Sequence, residues 1–487
     1  MPVLSYAAAG PAGTGPAATL PAEALVTIRA SRLDFILSFA RGPVDAQLLA
    51  IPRWGVWGFE FGKLPAGQPP PVSFWEIYNN ELLTTAALCQ LAAAGPGKVL
   101  KRGFFRTKRH SPSRAADGIY EECAHWPADA GRQLLAGLAL AAAAPGAPPA
   151  TRAVAAKPPA GAALVAFGAR VVGYKLQELY RTFLVADQWN IGVVNRPIQD
   201  FLQPAGLRGE PVDAPPLPSR NVFYADCFAR QEATGPVVYF ERYDYRRRRG
   251  TIARLPYPWP RKEEPAPVLD FPYHLSYPFL HGPYCIPEAW VTNSIRLYDL
   301  RTPVLHPAAG HVLLPVPGVD ATLLAHQGRY WLFYTRTDRD AMLNLFIAYA
   351  DAVHGPWHEH PQNPVKTDIR SARPAGPFFE VAGRLYRPAQ DCARDYGYAV
   401  AIQEVLTLTT TDYAERAVAH IPSLHPGYPA GLHTLAALDA TRTLIDFKRT
   451  RFIPMATLIA GWGVVSGIIY GKKGRRKPPA IEAPPAS

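Results

Sequence analysis

Residues 225–242 read ADCFARQEATGPVVYFER, and residues 319–336 read VDATLLAHQGRYWLFYTR. In each stretch an Asp opens a short apolar run, a Gly-containing turn follows, and a strand rich in Tyr, Trp, Phe or Val closes the unit. The same layout returns in LSYPFLHGPYCIPEAW at 275–290 and ARPAGPFFEVAGRLYRPAQD at 372–391, where Pro takes the opening position. Measured at Asp226, Pro278, Asp320 and Pro374, the offsets are 52, 42 and 54 residues. Recurrence every 40 to 50 residues or so, with several strands per unit, is the mark of a propeller blade. Residues 188–447 accommodate about five such units, so this region is expected to be an all-β five-bladed β-propeller.

Outside that region the composition changes. Residues 1–25 are rich in Ala, Gly and Pro and are expected to be disordered. Residues 26–140 contain strand-like and amphipathic stretches and form a separate, small α/β module. An Ala/Pro-rich linker follows at 141–163, then a connecting helix at 164–187. The last segment, 448–487, is basic, and within it FIPMATLIAGWGVVSGIIY at 452–470 carries no charge. Nineteen such residues are long enough to cross a hydrocarbon core of about 30 Å. Gly463, Gly467 and Gly471 repeat at the four-residue spacing that lets membrane helices approach closely. Pro454 and the modest hydrophobicity favour instead a terminal helix docked on the protein or a poorly ordered tail. These readings stay open, and membrane contact through 452–470 is one of them.

The 487 residues carry 52 prolines and 38 glycines, which disfavours an all-helical fold. The formal net charge is +12, but the cations gather densely only at RRRR (246–249) and KKGRRK (472–477). The first cluster lies between two strand-like runs and reads as a hairpin tip. No groove-reading motif accompanies either, so no nucleic-acid partner is expected. Cys89, Cys123, Cys227, Cys285 and Cys392 are widely spaced and odd in number, without a CxxC pair. Neither a disulfide framework nor a metal site is implied, no cofactor motif is present, and no secretory signal is visible. A reducing, cytoplasmic location is expected, with membrane association through the tail as the open alternative.

The chemistry follows from the repeat. The innermost strand of each blade lines a shared central cavity, so the residues opening each unit converge there. This selects Asp226, His274, Asp320, Arg373 and Asp391, with Glu288 ten residues beyond Pro278 on the neighbouring strand. Three carboxylates on one cavity suit glycosidic bond cleavage: a general acid, a base or nucleophile, and a third that adjusts their pKa values. Asp226 is assigned as base or nucleophile, Glu288 as general acid and Asp320 as the orienting carboxylate. His274, Tyr277, Arg373, Gln390 and Asp391 are assigned to substrate binding. The competing reading is structural: Asp226 and Asp320 cap blade-opening turns, and Arg373 pairs with a carboxylate.

These residues also carry a family resemblance. In order, ADCF, HLSYPFL, IPEA with IRLYDL, VDATLL with GRYWLFY, GPWHEHPQNPV, ARPAG and RLYRPAQDC with YGYAV resemble the N-terminal domain of glucosamine inositolphosphorylceramide transferases. That domain is similar to five-bladed glycosidases of the arabinanase and xylosidase type. The resemblance implies a carbohydrate or glycolipid ligand. The sugar-transferring domain of those enzymes has no counterpart here. In the first module, DFILSFA, WGVWGFEFG, SFWEIYNNELLTTAALCQL and VLKRGFFRT resemble the later part of a formyltransferase-type fold. Gly58, Phe59, Glu60 and Phe61 stand where that family has its Asn-x-His, so formyl transfer is not expected. The expected architecture is therefore a small α/β formyltransferase-like module followed by a five-bladed propeller. The propeller is glycoside hydrolase-like if active, and otherwise a carbohydrate-binding scaffold or a transferase or phosphorylase.

Overall fold

The computed structural model describes residues 20–39, 44–62, 72–93, 97–140, 161–207, 209–260 and 264–453. The chain divides into two compact units, Met1–Val171 and Val172–Ser487. In the first, α1 (Ala22–Ala30) begins inside the stretch expected to be disordered. It is followed by β1 (Ile36–Ser38), α2 (Ala46–Leu49), β2 (Val56–Phe61), α3 (Phe74–Tyr78), β3 (Leu83–Gln90), β4 (Lys98–Arg106), α4 (Pro112–Cys123) and α5 (Trp126–Leu135). The sheet order is β1-β2-β3-β4, with β1 parallel to β2 and the other pairs antiparallel. Helix α4 starts where Ser111 Oγ accepts from the Arg114 N–H and Pro112 takes the first turn. Its Ala115, Ile119 and Cys123, spaced by four, are the buried stripe. The unit is a small α/β module, and Glu60 is exposed on β2.

Helix α6 (Ala162–Leu184) ends three residues before the expected boundary. Val185, Ala186 and Asp187 instead begin β5 (Val185–Val194) and pair with Phe452, Arg451 and Thr450. A short β6 (Val212–Asp213) then pairs with β5. Among the described residues the second unit holds five sheets. Blade 1 comprises β7 (Val222–Glu232), β8 (Gly235–Asp244), β9 (Arg249–Pro256) and β10 (Ala266–Leu269). Blade 2 comprises β11 (Ser276–His281), β12 (Tyr284–Glu288), β13 (Ile295–Asp299) and β14 (His311–Leu314). Blade 3 comprises β15 (Gly318–His326), β16 (Arg329–Arg336), β17 (Asn344–Ala350) and β18 (His358–Glu359), with β19 (Lys366–Thr367) also on β17. Blade 4 comprises β20 (Phe379–Val381), β21 (Arg384–Asp391), β22 (Ala399–Leu408) and β23 (Tyr413–Pro422). Blade 5 is assembled from both ends of the unit, in the order β24 (Leu435–Ala437), β25 (Thr443–Phe452), β5, β6.

The packing closes these sheets into a ring. Ile252 and Leu269 of blade 1 pack with Cys285 and Tyr298 of blade 2. Phe279 and Leu297 of blade 2 meet Leu323 and Leu332 of blade 3. Phe333 and Ile347 of blade 3 meet Ala372 and Tyr413 at blade 4. Val400 and Ile402 of blade 4 meet Val194 and Phe447 of blade 5. Ile191 and Leu444 of blade 5 return to Tyr224 and Phe240 of blade 1. Every sheet thus buries both faces against its neighbours, which is the arrangement of a five-bladed propeller. RRRR at 246–249 lies at the β8–β9 hairpin, with Arg249 opening β9. All five cysteines are free and buried. Of the apolar segment 452–470, Phe452 ends β25, the Ile453 N–H donates to Leu184 O, and the remainder lies outside the described residues. No helix among the described residues is long and apolar enough to cross a membrane.

Candidate active site

The first strands of blades 1, 2 and 3 share one local irregularity. The β7–β8 pairing skips between Ala225 and Phe228, β11–β12 between Ser276 and Phe279, and β15–β16 between Val319 and Thr322. Each bulge holds one residue with left-handed backbone: Asp226 (φ 54°), Tyr277 (φ 44°) and Asp320 (φ 48°). The repeat is therefore anchored in blade 2 at Tyr277 rather than Pro278. Asp tolerates this conformation, whereas Tyr adopts it at a cost of about 1–3 kcal/mol. Asp226 holds Tyr277 there, its Oδ2 accepting the Tyr277 N–H at 3.2 Å.

Asp320 and Glu288 converge on a buried arginine. Arg373 donates from Nε to Asp320 Oδ2 (2.5 Å) and from Nη2 to both Asp320 Oδ1 (3.2 Å) and Glu288 Oε2 (3.3 Å). Gln390 Nε2 adds a bond to Asp320 Oδ2 at 2.7 Å, and the Arg373 guanidinium lies 5.2 Å from the Tyr396 ring centroid. Asp226 belongs to a neighbouring cluster. Its backbone N–H donates to Asp446 Oδ2 (3.2 Å), and its Oδ1 lies 3.3 Å from His433 Nε2. The Nδ1 of the same ring lies 2.5 Å from Asp446 Oδ2, and Trp189 stacks on it at 4.0 Å.

Electrostatics separates the carboxyls. Burial lifts Glu288 well above the usual carboxylate range, and the negative charge of Asp320 adds to this against the opposing Arg373. Burial also raises Asp226 to about 6, tempered by His433 and reinforced by Asp320 and Asp446. Asp446 is drawn the other way: burial opposes its charge, but His433 and the hydrogen bonds to it hold it below the ordinary value. His433 is correspondingly raised, because Asp446 and Asp226 outweigh the cost of burial. Glu288 is thereby favoured as the neutral carboxylic acid, while Asp226 ionises at about 6.

The other selected residues have different surroundings. The Tyr277 hydroxyl accepts from the Gly376 N–H and shares a hydrogen bond with Thr322 Oγ1, both at 2.8 Å, so the ring joins blades 2, 3 and 4. His274 accepts the Gly250 N–H on Nδ1 at 2.9 Å, and burial lowers its pKa to about 4, leaving it neutral. Its Nε2 faces Glu241 Oε1 at 3.7 Å. Gln390 is fully buried with its Oε1 unpartnered. Asp391, next along β21, alternates to the opposite face, where its Oδ2 bonds His420 Nε2 at 2.9 Å and its Oδ1 accepts the Ala393 N–H. Asp391 thus stands apart from the Arg373 network.

Glu241, His433, Asp446 and Tyr396 were not selected from the sequence. Glu241 is buried on β8 with Oε1 unpartnered, and burial together with Asp226, Glu288, Asp320 and Asp446 raises it well above the carboxylate range. Asp226, His433 and Asp446 present donor atoms within 4.8 Å of one another, a spacing at which a metal ion fits. His433 as an imidazolium between two carboxylates balances the same charge without one.

Residues 264–423 match the family described as glucosamine inositolphosphorylceramide transferase 1, N-terminal. The stretch runs from β10 through β23, so it includes Glu288, Asp320, Arg373 and Gln390 but not Asp226, His433 or Asp446. Among curated proteins, glucosamine inositolphosphorylceramide transferase 1 of Oryza sativa subsp. indica is 36% identical over 157 residues, covering 30% of this chain and 21% of that protein. The Arabidopsis thaliana protein of the same name is 34% identical over 157 residues, covering 30% and 20%. The chain thus spans about a fifth of the length of the curated relatives it matches. Among solved structures, the exo-β-1,3-galactanase 1,3Gal43A of Clostridium thermocellum aligns over 42% of this chain and 52% of that one, at 11% identity and a TM-score of 0.29. The family 117 glycoside hydrolase Zg3597 of Zobellia galactanivorans aligns over 55% and 91%, at 11% identity and a TM-score of 0.31.

Proposed function

We propose that the propeller is a glycan- or glycoconjugate-active module that cleaves a glycosidic bond with Glu288 as general acid and Asp226 as base or nucleophile. The observation that carries this reading is the pair of unlike environments: Glu288 kept protonated beside Asp320 and Arg373, Asp226 held near pH 6 beside His433. Asp320 orients Arg373 and raises Glu288 by its charge. The matched family supports a carbohydrate or glycolipid ligand. A reducing, cytoplasmic location is proposed on the five free thiols, with 452–470 as the candidate membrane contact. The first unit is proposed as a formyltransferase-like remnant without transfer activity, since Gly58 and Glu60 replace the Asn and His that such chemistry uses.

Hydrolysis of aryl glycosides and envelope glycans by the full chain tests the reading. Glu288→Gln and Asp226→Asn are each expected to lower turnover by at least about a hundredfold. The rate should fall as pH drops through about 6, where Asp226 takes up a proton, and fall again on the alkaline side as Glu288 loses its own. Glycan binding without turnover, unchanged in both variants, would leave a carbohydrate-binding scaffold instead.

A further inference from the structure

Strand β25 leaves the carboxylate cluster at Asp446 and runs on through Arg449 to Arg451. At about 3.3 Å per residue, these arginines lie roughly 10 to 17 Å along the strand from Asp446. There the β5–β25 ladder and the segment 215–220 enclose a cleft of about 710 Å³, lined by Arg220, Arg449, Arg451, Gln188, Tyr428 and Ser219 among others, with no carboxylate in the lining. The arginines elsewhere in this unit are mostly paired, as in Arg230–Glu232, Arg387–Glu415 and Arg442–Asp439. Among the described residues, these three have no ion-pair partner. The adjoining acid, Asp187, faces Lys448 at 3.6 Å.

The cleft is also built to hold its cations in place. Gln188 is buried, and its Oε1 accepts from Arg449 Nε (3.0 Å) and Nη2 (2.6 Å), which fixes the guanidinium plane. The opposite constraint is Tyr428, whose ring centroid lies 4.5 Å from the Arg449 guanidinium carbon. Arg451 Nη1 donates to the backbone O of Arg220 at 3.1 Å, tying the loop to the strand. Three like charges gathered without a counter-ion repel one another, and a planar, preoriented guanidinium favours bidentate recognition of an oxyanion.

We propose that this cleft binds an oxyanion borne by the sugar ligand, a phosphate or a carboxylate, with Arg449 and Arg451 as the principal donors and Arg220 at the rim. That the oxyanion is carried on a sugar rests on the glycan reading above; that the cleft takes an oxyanion does not. Calorimetric titration of the full chain with inorganic phosphate, glucuronate and glucose at low and high salt tests it. Saturable binding of phosphate or glucuronate, weakened by salt and at least about tenfold weaker in Arg449→Met and in Arg451→Met, is the expected result. Arg220→Gln, on the exposed loop, should weaken binding with an unchanged melting temperature, which separates loss of the site from loss of the fold. Phosphate binding alone assigns a phosphoryl substituent, and glucuronate binding alone a uronic acid. No saturable binding of either anion, or binding indifferent to both strand variants, would overturn the proposal. Anion binding by a protein that hydrolyses and binds no glycan would sustain the cleft while removing its sugar.

Discussion

Arg373 is the residue on which the candidate site turns, because its guanidinium donates to two buried carboxyls, Asp320 and Glu288. Arg373→Met should lower stability by about 3–5 kcal/mol at pH 7, measured by denaturant unfolding, since it strands the buried Asp320 carboxylate without a counter-charge and takes a hydrogen-bond donor from Glu288. Arg373→Lys should recover only part of it, a point charge being unable to fork between them. Glu415 makes the opposite case. Burial alone would raise it, but Arg387 and Lys366 bring it to about 2. Its contribution is therefore complete above the unfolded value near 4.5 and lost as pH falls toward 2. Glu415→Gln should flatten the acid-unfolding curve over that window. The sequence reached Asp226, Glu288 and Asp320 because polar residues opening a repeat stand out against apolar strands. Glu241 and Asp446 lie inside second strands, at positions the opening-residue rule does not select. His433 stands in GLHTLAALDATRTLIDFKR, which lacks the Gly-containing turn and the aromatic strand that mark the other units.

At the scale of elements, the bulged inner strands explain how side chains from different blades meet. An unbroken strand would alternate strictly between the two sheet faces, whereas one extra residue re-aims a side chain toward the axis. Period-2 patterning marks the strands but not the bulges, so the sequence aligned blade 2 at Pro278, one residue beyond its structural anchor. Blade 4 meets the axis through closer backbone contact. Gly376 has φ +133°, and a Cβ there would lie 2.1 Å from the backbone O of Leu435 in blade 5. The Leu435 N–H donates to Ala375 O at 2.8 Å in the same place. Gly376→Ala must therefore displace backbone rather than a side-chain tip. A drop of more than about 2 kcal/mol in unfolding free energy is expected, through backbone strain and the loss of this bond. Tyr277→Phe, which leaves the Gly376 N–H without its acceptor, should cost about 1–3 kcal/mol with the ring packing retained. A Gly376→Ala protein as stable as its parent would mean that blades 4 and 5 are not clamped here.

At the scale of the molecule, the ring is closed by strands from opposite ends of the propeller unit. Repeat spacing made the number of blades legible, but the partner of β5 could not be read from it, because the pairing spans about 250 residues and neither strand carries a repeat of its own. The β5–β25 ladder runs from Thr443↔Val194 to Phe452↔Val185, ten pairs, and carries Asp446 to the axis. Without β25, β5 and β24 each lose their common neighbour, and both inter-blade cores that contain blade 5 open to solvent. A chain ending at Arg442 should therefore show no cooperative thermal transition for the propeller. A chain ending at Ile453 keeps the whole ladder and should melt within a few degrees of the full-length protein. The two end points differ by only eleven residues, so the contrast isolates closure from chain length. A cooperative transition surviving in the shorter chain would show that four blades hold together unclosed, and the velcro-like role of β25 would have to be abandoned.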